Sequence, residues 1–60
     1  MDLAVAKRAS KLRAKYTFLK GFDAIQIAIA IENNCDAFLT NDKQLKKIRE
    51  IKIVVLEDLK

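Results

Sequence analysis

The segment "DAIQIAIAIENN", residues 23–34, constrains this chain more than any other, because no charged residue lies between Asp23 and Glu32. Isoleucines at 25, 27, 29 and 31 alternate as they would in a strand. Against that stand the alanines between them, the cap-competent Asp23, the Asn33-Asn34 terminus and a length greater than that of a usual strand. The balance predicts a helix buried almost all round, with Ala24 and Ala28 forming a ridge that admits a close neighbour.

Sixty residues leave little else to bury such a helix. A chain this short covers only about 60% of the surface that it exposes when unfolded, so its core is marginal. With Cys35 the single cysteine and no histidine, neither an internal disulfide nor a Cys/His zinc site can staple it. A partner chain is the expected support. Cys35, beside an apolar run, reads as a buried thiol of a reducing compartment. Asp2, Lys7 and Arg8 interrupt the start of the chain, which argues against a signal peptide, and the near-apolar stretch 24–31 is too short to span a bilayer. The expectation is a cytoplasmic protein with no membrane partner. Its net charge of +4 is compatible with a polyanion.

Before the apolar segment, "DLAVAKRASKLRAKY" places Val5, Ala9, Leu12 and Tyr16 on one helical face, with Asp2 favouring the N-terminus. Lys7, Lys11 and Lys15, with Arg8 and Arg13, make the rest of this helix basic, which suits either solvent or phosphate. Gly21 is expected to supply a left-handed turn. After the apolar segment, "CDAFLT" reads as a fully buried strand, "DKQLKKIRE" as a short helix with Leu45 and Ile48 inward, and "IKIVVL" as a second strand. The expected fold is α/β, helix-helix-strand-helix-strand, a single domain over residues 1–60 with parallel strands and a right-handed crossover.

The strand "DAFLT" then stops on Asn41 and Asp42. Ordinary turn chemistry accounts for this, with Asp42 capping the next helix. A second reading comes from lengths. A helix over 23–33 spans roughly 16 Å, and a strand over 36–40 climbs about as far. If the strand runs back along the helix, Asp23 and Asp42 finish at the carboxyl edge of the sheet, where open α/β folds hold ligands. Asp36 falls at the opposite edge. With the Thr40 hydroxyl and the Asn41 amide, the two carboxylates would make an oxygen-only set suited to Mg²⁺ or Mn²⁺. Capping and metal binding can coexist.

"LRAKY", "GFDAIQIAIAIE", "CDAFLTNDKQLKKI" and "IKIVVL", in that order, resemble the C-terminal half of a PIN domain, the fold of the VapC-type toxin ribonucleases of toxin-antitoxin pairs. The resemblance covers nearly the whole chain. It implies a three-layer α/β sandwich with acidic residues at the carboxyl edge of a parallel sheet, binding Mg²⁺ or Mn²⁺ to activate a water that cleaves RNA. By this likeness Asp23 and Asp42 are metal ligands, and Thr40 is a hydroxyl-bearing catalytic neighbour. It also implies that the N-terminal half of the fold, with its first strand aspartate and a helical glutamate, is absent. Two carboxylates are then expected to hold metal weakly and to give little activity alone. An antitoxin or a complementing N-terminal half is an implied partner.

The competing expectation is a non-enzymatic module that binds RNA or a protein through the basic helix or a sheet edge. Either way, two strands do not make a self-sufficient sheet, and a homodimer is the expected way to cover what sixty residues leave bare.

Overall fold

The computed structural model describes the backbone of residues 2–59 and the side chains of residues 2–57. Helix α1 (Leu3–Lys15) opens where Asp2 accepts a hydrogen bond from the Ala4 N–H at 3.3 Å, and closes where the Tyr16 N–H donates to the Leu12 carbonyl at 2.8 Å. Val5, Ala9 and Leu12 are buried and Tyr16 is half-buried, as the period of the sequence requires.

Helix α2 (Gly21–Glu32) begins two residues before the expected Asp23. The Ala24 N–H reaches back to the Lys20 carbonyl at 2.9 Å, so Lys20 is the N-cap, without a side-chain bond, and Asp23 sits in the first turn. Gly21 does not take the left-handed conformation. That role falls to Asn34, at φ 57°. With Asn33 as C-cap, the Asn34 N–H donates to Ile31 and the Cys35 N–H to Ala30, which is the paired bonding of a Schellman ending. The chain leaves the helix outward, so Cys35 is exposed and not the buried thiol expected.

The Arg8 Nε donates to Glu32 Oε2 at 2.8 Å, bringing the early part of α1 to the end of α2. The two helices are thus an antiparallel hairpin. Ala24, Ile27 and Ala28 are fully buried, confirming the small-residue ridge, but burial does not extend all round: Ile29 is exposed, and so is Phe22 at 72%. A helix of a two-helix hairpin has one covered face, however apolar its others are.

Strands β1 (Ala37–Thr40) and β2 (Lys52–Val55) pair in parallel, with Phe38 beside Ile53, Leu39 beside Val54 and Thr40 beside Val55. Phe38 and Ile53 pack on the core, whereas Leu39, which alternation sends to the other face, is 62% exposed. β1 is therefore not a fully buried strand. The crossover between strands is a 3₁₀ helix, Lys43–Lys47. Leu45 bonds back to Asp42 and Ile48 to Leu45, and because residues three apart share a side of a 3₁₀ turn, both reach the core at 2% and 3% exposure. A second 3₁₀ helix, Leu56–Leu59, follows β2. Among the described residues no helix is long and apolar enough to cross a membrane.

Candidate active site at the carboxyl end of the first strand

Where β1 ends, the Asp42 N–H donates to Thr40 Oγ1 at 3.1 Å, and Asp42 Oδ1 in turn accepts from the Gln44 N–H at 2.9 Å. Asp42 is the N-cap of the 3₁₀ crossover, so the turn chemistry read in "TND" is present. Its second carboxylate oxygen takes part in neither bond, and Asp42 and Asn41 are exposed. The structure thus joins Thr40 and Asp42 in one fixed turn with an oxygen left over.

Asp23 stands apart from this turn in its bonding. It is half-buried in the first turn of α2, where a negative charge is favoured by the helix dipole, and it makes no side-chain hydrogen bond or ion pair among the described residues. Nor do any three His, Cys, Asp or Glu side chains among the described residues gather closely enough to hold a metal ion. Asp36 lies just before β1, at the entry edge. There it lines a cleft of about 570 Å³ together with Cys35, Arg49, Glu50 and Lys52.

The register adds an acid that the sequence did not point to. β2 leaves the sheet at Val55, beside Thr40, so Glu57 emerges at the same edge as Asp42. Lys43, next in sequence to Asp42, holds its ammonium 3.3 Å from Glu57 Oε2. Both ends of that pair are largely exposed, so it is worth little in stability. Its effect is to tie the residue after Asp42 to the segment that follows β2. Only the pairing register, which is not visible in the sequence, reveals this.

A second unforeseen cluster centres on Tyr16. Its hydroxyl donates to Glu50 Oε1 at 2.7 Å and accepts from the Arg49 N–H at 3.2 Å, while Lys15 Nζ stands 3.1 Å from Glu50 Oε2. Lys15 also lies 5.3 Å from the centre of the Tyr16 ring, and Lys47 lies 5.5 Å from that of Phe18, which meets Tyr16 edge-on at 6.0 Å. Burial pushes the Glu50 carboxyl up, but hydrogen bonds from Tyr16 and Lys15 outweigh it and hold the group below its ordinary value. Lys15 is held above its own, mainly by its bond to Glu50. A half-buried tyrosine closing an apolar stripe needs a partner for its hydroxyl, and that need was the available signal.

A family model for the PIN domain matches residues 1–51 of the sixty. The matched stretch holds both helices, β1 and the 3₁₀ crossover, and with them Asp23, Thr40 and Asp42; it stops just before β2. Searches of curated proteins and of solved structures gave no significant match.

Proposed function

Since the chain belongs to the PIN domain family, whose members are generally nucleases, we propose that it is the C-terminal part of a metal-dependent ribonuclease of the toxin-antitoxin type. The observation that carries this reading is the Thr40–Asp42 turn at the carboxyl end of β1, within the matched stretch, with one Asp42 oxygen uncommitted. Asp42 and Asp23 would hold Mg²⁺ or Mn²⁺, and the donor chemistry fits: hard cations take carboxylate and hydroxyl oxygens and keep several waters. Such an ion supplies a water of lowered pKa and neutralises charge on a scissile phosphate. Thr40 fixes Asp42 by accepting its N–H and retains its own hydroxyl proton to donate to a phosphate oxygen or a water. Lys43, beside Asp42, adds a positive charge at the edge where RNA phosphates would arrive.

Two carboxylates hold such an ion loosely, so the sixty residues alone are expected to bind metal weakly and to cleave RNA slowly. Paramagnetic broadening by Mn²⁺ should centre on Asp23, Thr40 and Asp42 and vanish in the Asp23→Asn/Asp42→Asn double variant. Broadening centred on Asp36 or Glu57 would refute the assignment. Fast, chelator-sensitive cleavage by the purified chain, lost in Asp42→Asn, would refute the expected slowness while supporting the site.

One observation favours a second reading, a non-enzymatic RNA-binding or interaction module. The exposed Lys7, Lys11, Arg13 and Lys15 give α1 a basic face that adjoins the Tyr16–Phe18 ring pair. RNA binding that survives loss of both Asp23 and Asp42 selects this reading.

A further inference from the structure

The twelve basic and eight acidic residues are unevenly distributed along the chain. Six of the basic residues and none of the acidic ones fall between Leu3 and Phe22, so that stretch carries +6 and the remainder −2. A merely solvated helix mixes the two signs, since opposite charges four residues apart stabilise it and like charges destabilise it. α1 does not mix them. Lys7, Lys11 and Lys15 stand four apart in one exposed row, and among the described residues Lys7 and Lys11 have no ion pair. The row weakens α1 on its own, and a bound polyanion would reverse the sign of that effect.

The row continues past the end of the helix. Lys15 Nζ lies 5.3 Å from the centre of the Tyr16 ring, that ring meets Phe18 edge-on at 6.0 Å, and Lys47 Nζ lies 5.5 Å from the centre of the Phe18 ring. Exposed cations and two half-buried rings thus form one continuous track from Lys7 to Lys47. We propose that this track binds single-stranded RNA, with phosphates along the lysines and a base against the ring pair. Among polyanions, a single strand joins regularly repeated charge to flat apolar groups that are free to leave their stack. An acidic peptide brings the charge without those groups, and a duplex keeps its bases stacked inside.

The far end of the track lies close to the candidate active site. Lys47 is the last residue of the 3₁₀ helix that Asp42 caps, so five residues at about 2 Å each place it roughly 10 Å from Asp42. A strand held on α1 and the rings is thereby led toward the Thr40–Asp42 turn. This guiding role rests on the ribonuclease reading, whereas the binding itself rests only on the basic face and the rings. Lys15 is already matched by Glu50 at 3.1 Å, which leaves Lys7, Lys11 and Lys47 as the cations of the track without an acidic partner among the described residues. Three such phosphate contacts to a single strand give a slope of about −2 for the logarithm of affinity against that of salt.

Fluorescence anisotropy of a labelled oligouridylate about a dozen nucleotides long, titrated with the whole chain in EDTA, measures binding apart from metal-dependent cleavage. The salt slope should be about −2 between about 20 and 200 mM. Lys7→Gln/Lys11→Gln should flatten it by about 1.4 and weaken binding at least about tenfold at the low-salt end, with helical circular dichroism unchanged. Lys52→Gln, exposed but off the track, should leave the slope as it is. Phe18→Leu should weaken single-strand binding about fivefold or more without altering the slope or the affinity for a hairpin duplex, since a base on a ring releases no counterions. The lysine substitutions lie on exposed positions, so they decide the matter even where Phe18→Leu perturbs folding. Absence of binding at the low-salt end, a slope as sensitive to Lys52 as to Lys7 and Lys11, or equal loss of duplex and single strand in a folded Phe18→Leu would each overturn the proposal. Polyglutamate displacing the RNA at equal charge concentration would overturn it in favour of an acidic protein partner. Binding that ignores the lysine changes but is lost in Asp23→Asn/Asp42→Asn would overturn the track and leave the ribonuclease reading standing. Binding that follows the lysines while Mn²⁺ broadening is absent from Asp23 and Asp42 would uphold the track and remove the ribonuclease reading.

Discussion

The two strands are more apolar in sequence than the helical hairpin with its 3₁₀ crossover, yet they are the less buried of the two regions. Leu12, Ala24, Ile27, Ala28, Leu45 and Ile48 are all at 3% exposure or less, whereas Val55 alone is buried among the strand residues and Leu39 is open. A helix gathers its apolar stripe on one side, so one neighbour covers it. A strand divides its side chains between two faces and keeps two edges, so two strands on one hairpin are left half covered. Fold stability should therefore reside in the hairpin more than in the sheet.

A pair of truncations puts this contrast under the greatest load. Ile27→Ala removes a fully buried side chain of α2 from the core, and should destabilise by about 3 kcal/mol. For a sixty-residue core this is comparable to the entire stability, so cooperative unfolding in urea should disappear. Leu39→Ala, measured at low micromolar concentration, should change the midpoint by no more than about 0.5 kcal/mol equivalent. Equal damage from the two substitutions would mean that the sheet is as much a part of the core as the hairpin.

The same contrast explains how much of the molecule is legible in its sequence. The buried face of α1 is legible because Val5, Ala9, Leu12 and Tyr16 keep the helical period, and Leu45 and Ile48 are legible because a three-residue spacing serves α and 3₁₀ turns alike. The start of α2 is not. Asp23 is a good cap by composition, but the bond from Ala24 to Lys20 fixes the first turn earlier, and such a bond has no signature in side chains. Which face of "AFLT" would be covered is equally invisible, since alternation separates two faces without saying which has a neighbour. At the site, the turn joining Thr40 to Asp42 is readable from "TND", whereas the closeness of Glu57 to the same edge depends on strand register.

A finer test concerns what ties the hairpin to the start of β2. Tyr16→Phe removes the hydroxyl that both donates to Glu50 and accepts from the Arg49 N–H, and should cost about 1 kcal/mol at neutral pH. The tie also has a pH signature. The Glu50 pKa is lowered from 4.5 on folding, so its contribution is present above that value and is lost as pH falls through the lower folded one. The Lys15 pKa is raised from 10.5, so its contribution is present below that value and fades as pH rises through the higher folded one. Thermal melts should show the deficit of Tyr16→Phe shrinking below about pH 4, and Glu50→Gln should flatten the acid limb. An acid limb unchanged in Glu50→Gln would assign the pH dependence to other carboxylates.

The smallest expected effect separates the two roles of Asp42 in the more open half. As a cap, its Oδ1 accepts the Gln44 N–H, and this needs an oxygen but not a charge. As a metal ligand, it needs the charge, because an amide is a much weaker donor to a hard cation. Asp42→Ala should lower stability by about 0.5 to 1 kcal/mol, since the 3₁₀ crossover loses its cap and the Gln44 N–H must turn to water. Asp42→Asn keeps a carbonyl oxygen at the same position, so its melting curve should overlie that of the parent within about 0.3 kcal/mol. Mn²⁺ broadening at Thr40 should nevertheless fall to background in both variants. If Asp42→Asn proved as unstable as Asp42→Ala, the cap would depend on charge and the bond to Gln44 would not be its basis. If broadening at Thr40 persisted in Asp42→Asn, Asp42 would be a cap and nothing more, leaving Asp23 and Glu57 as the acids to test for the metal.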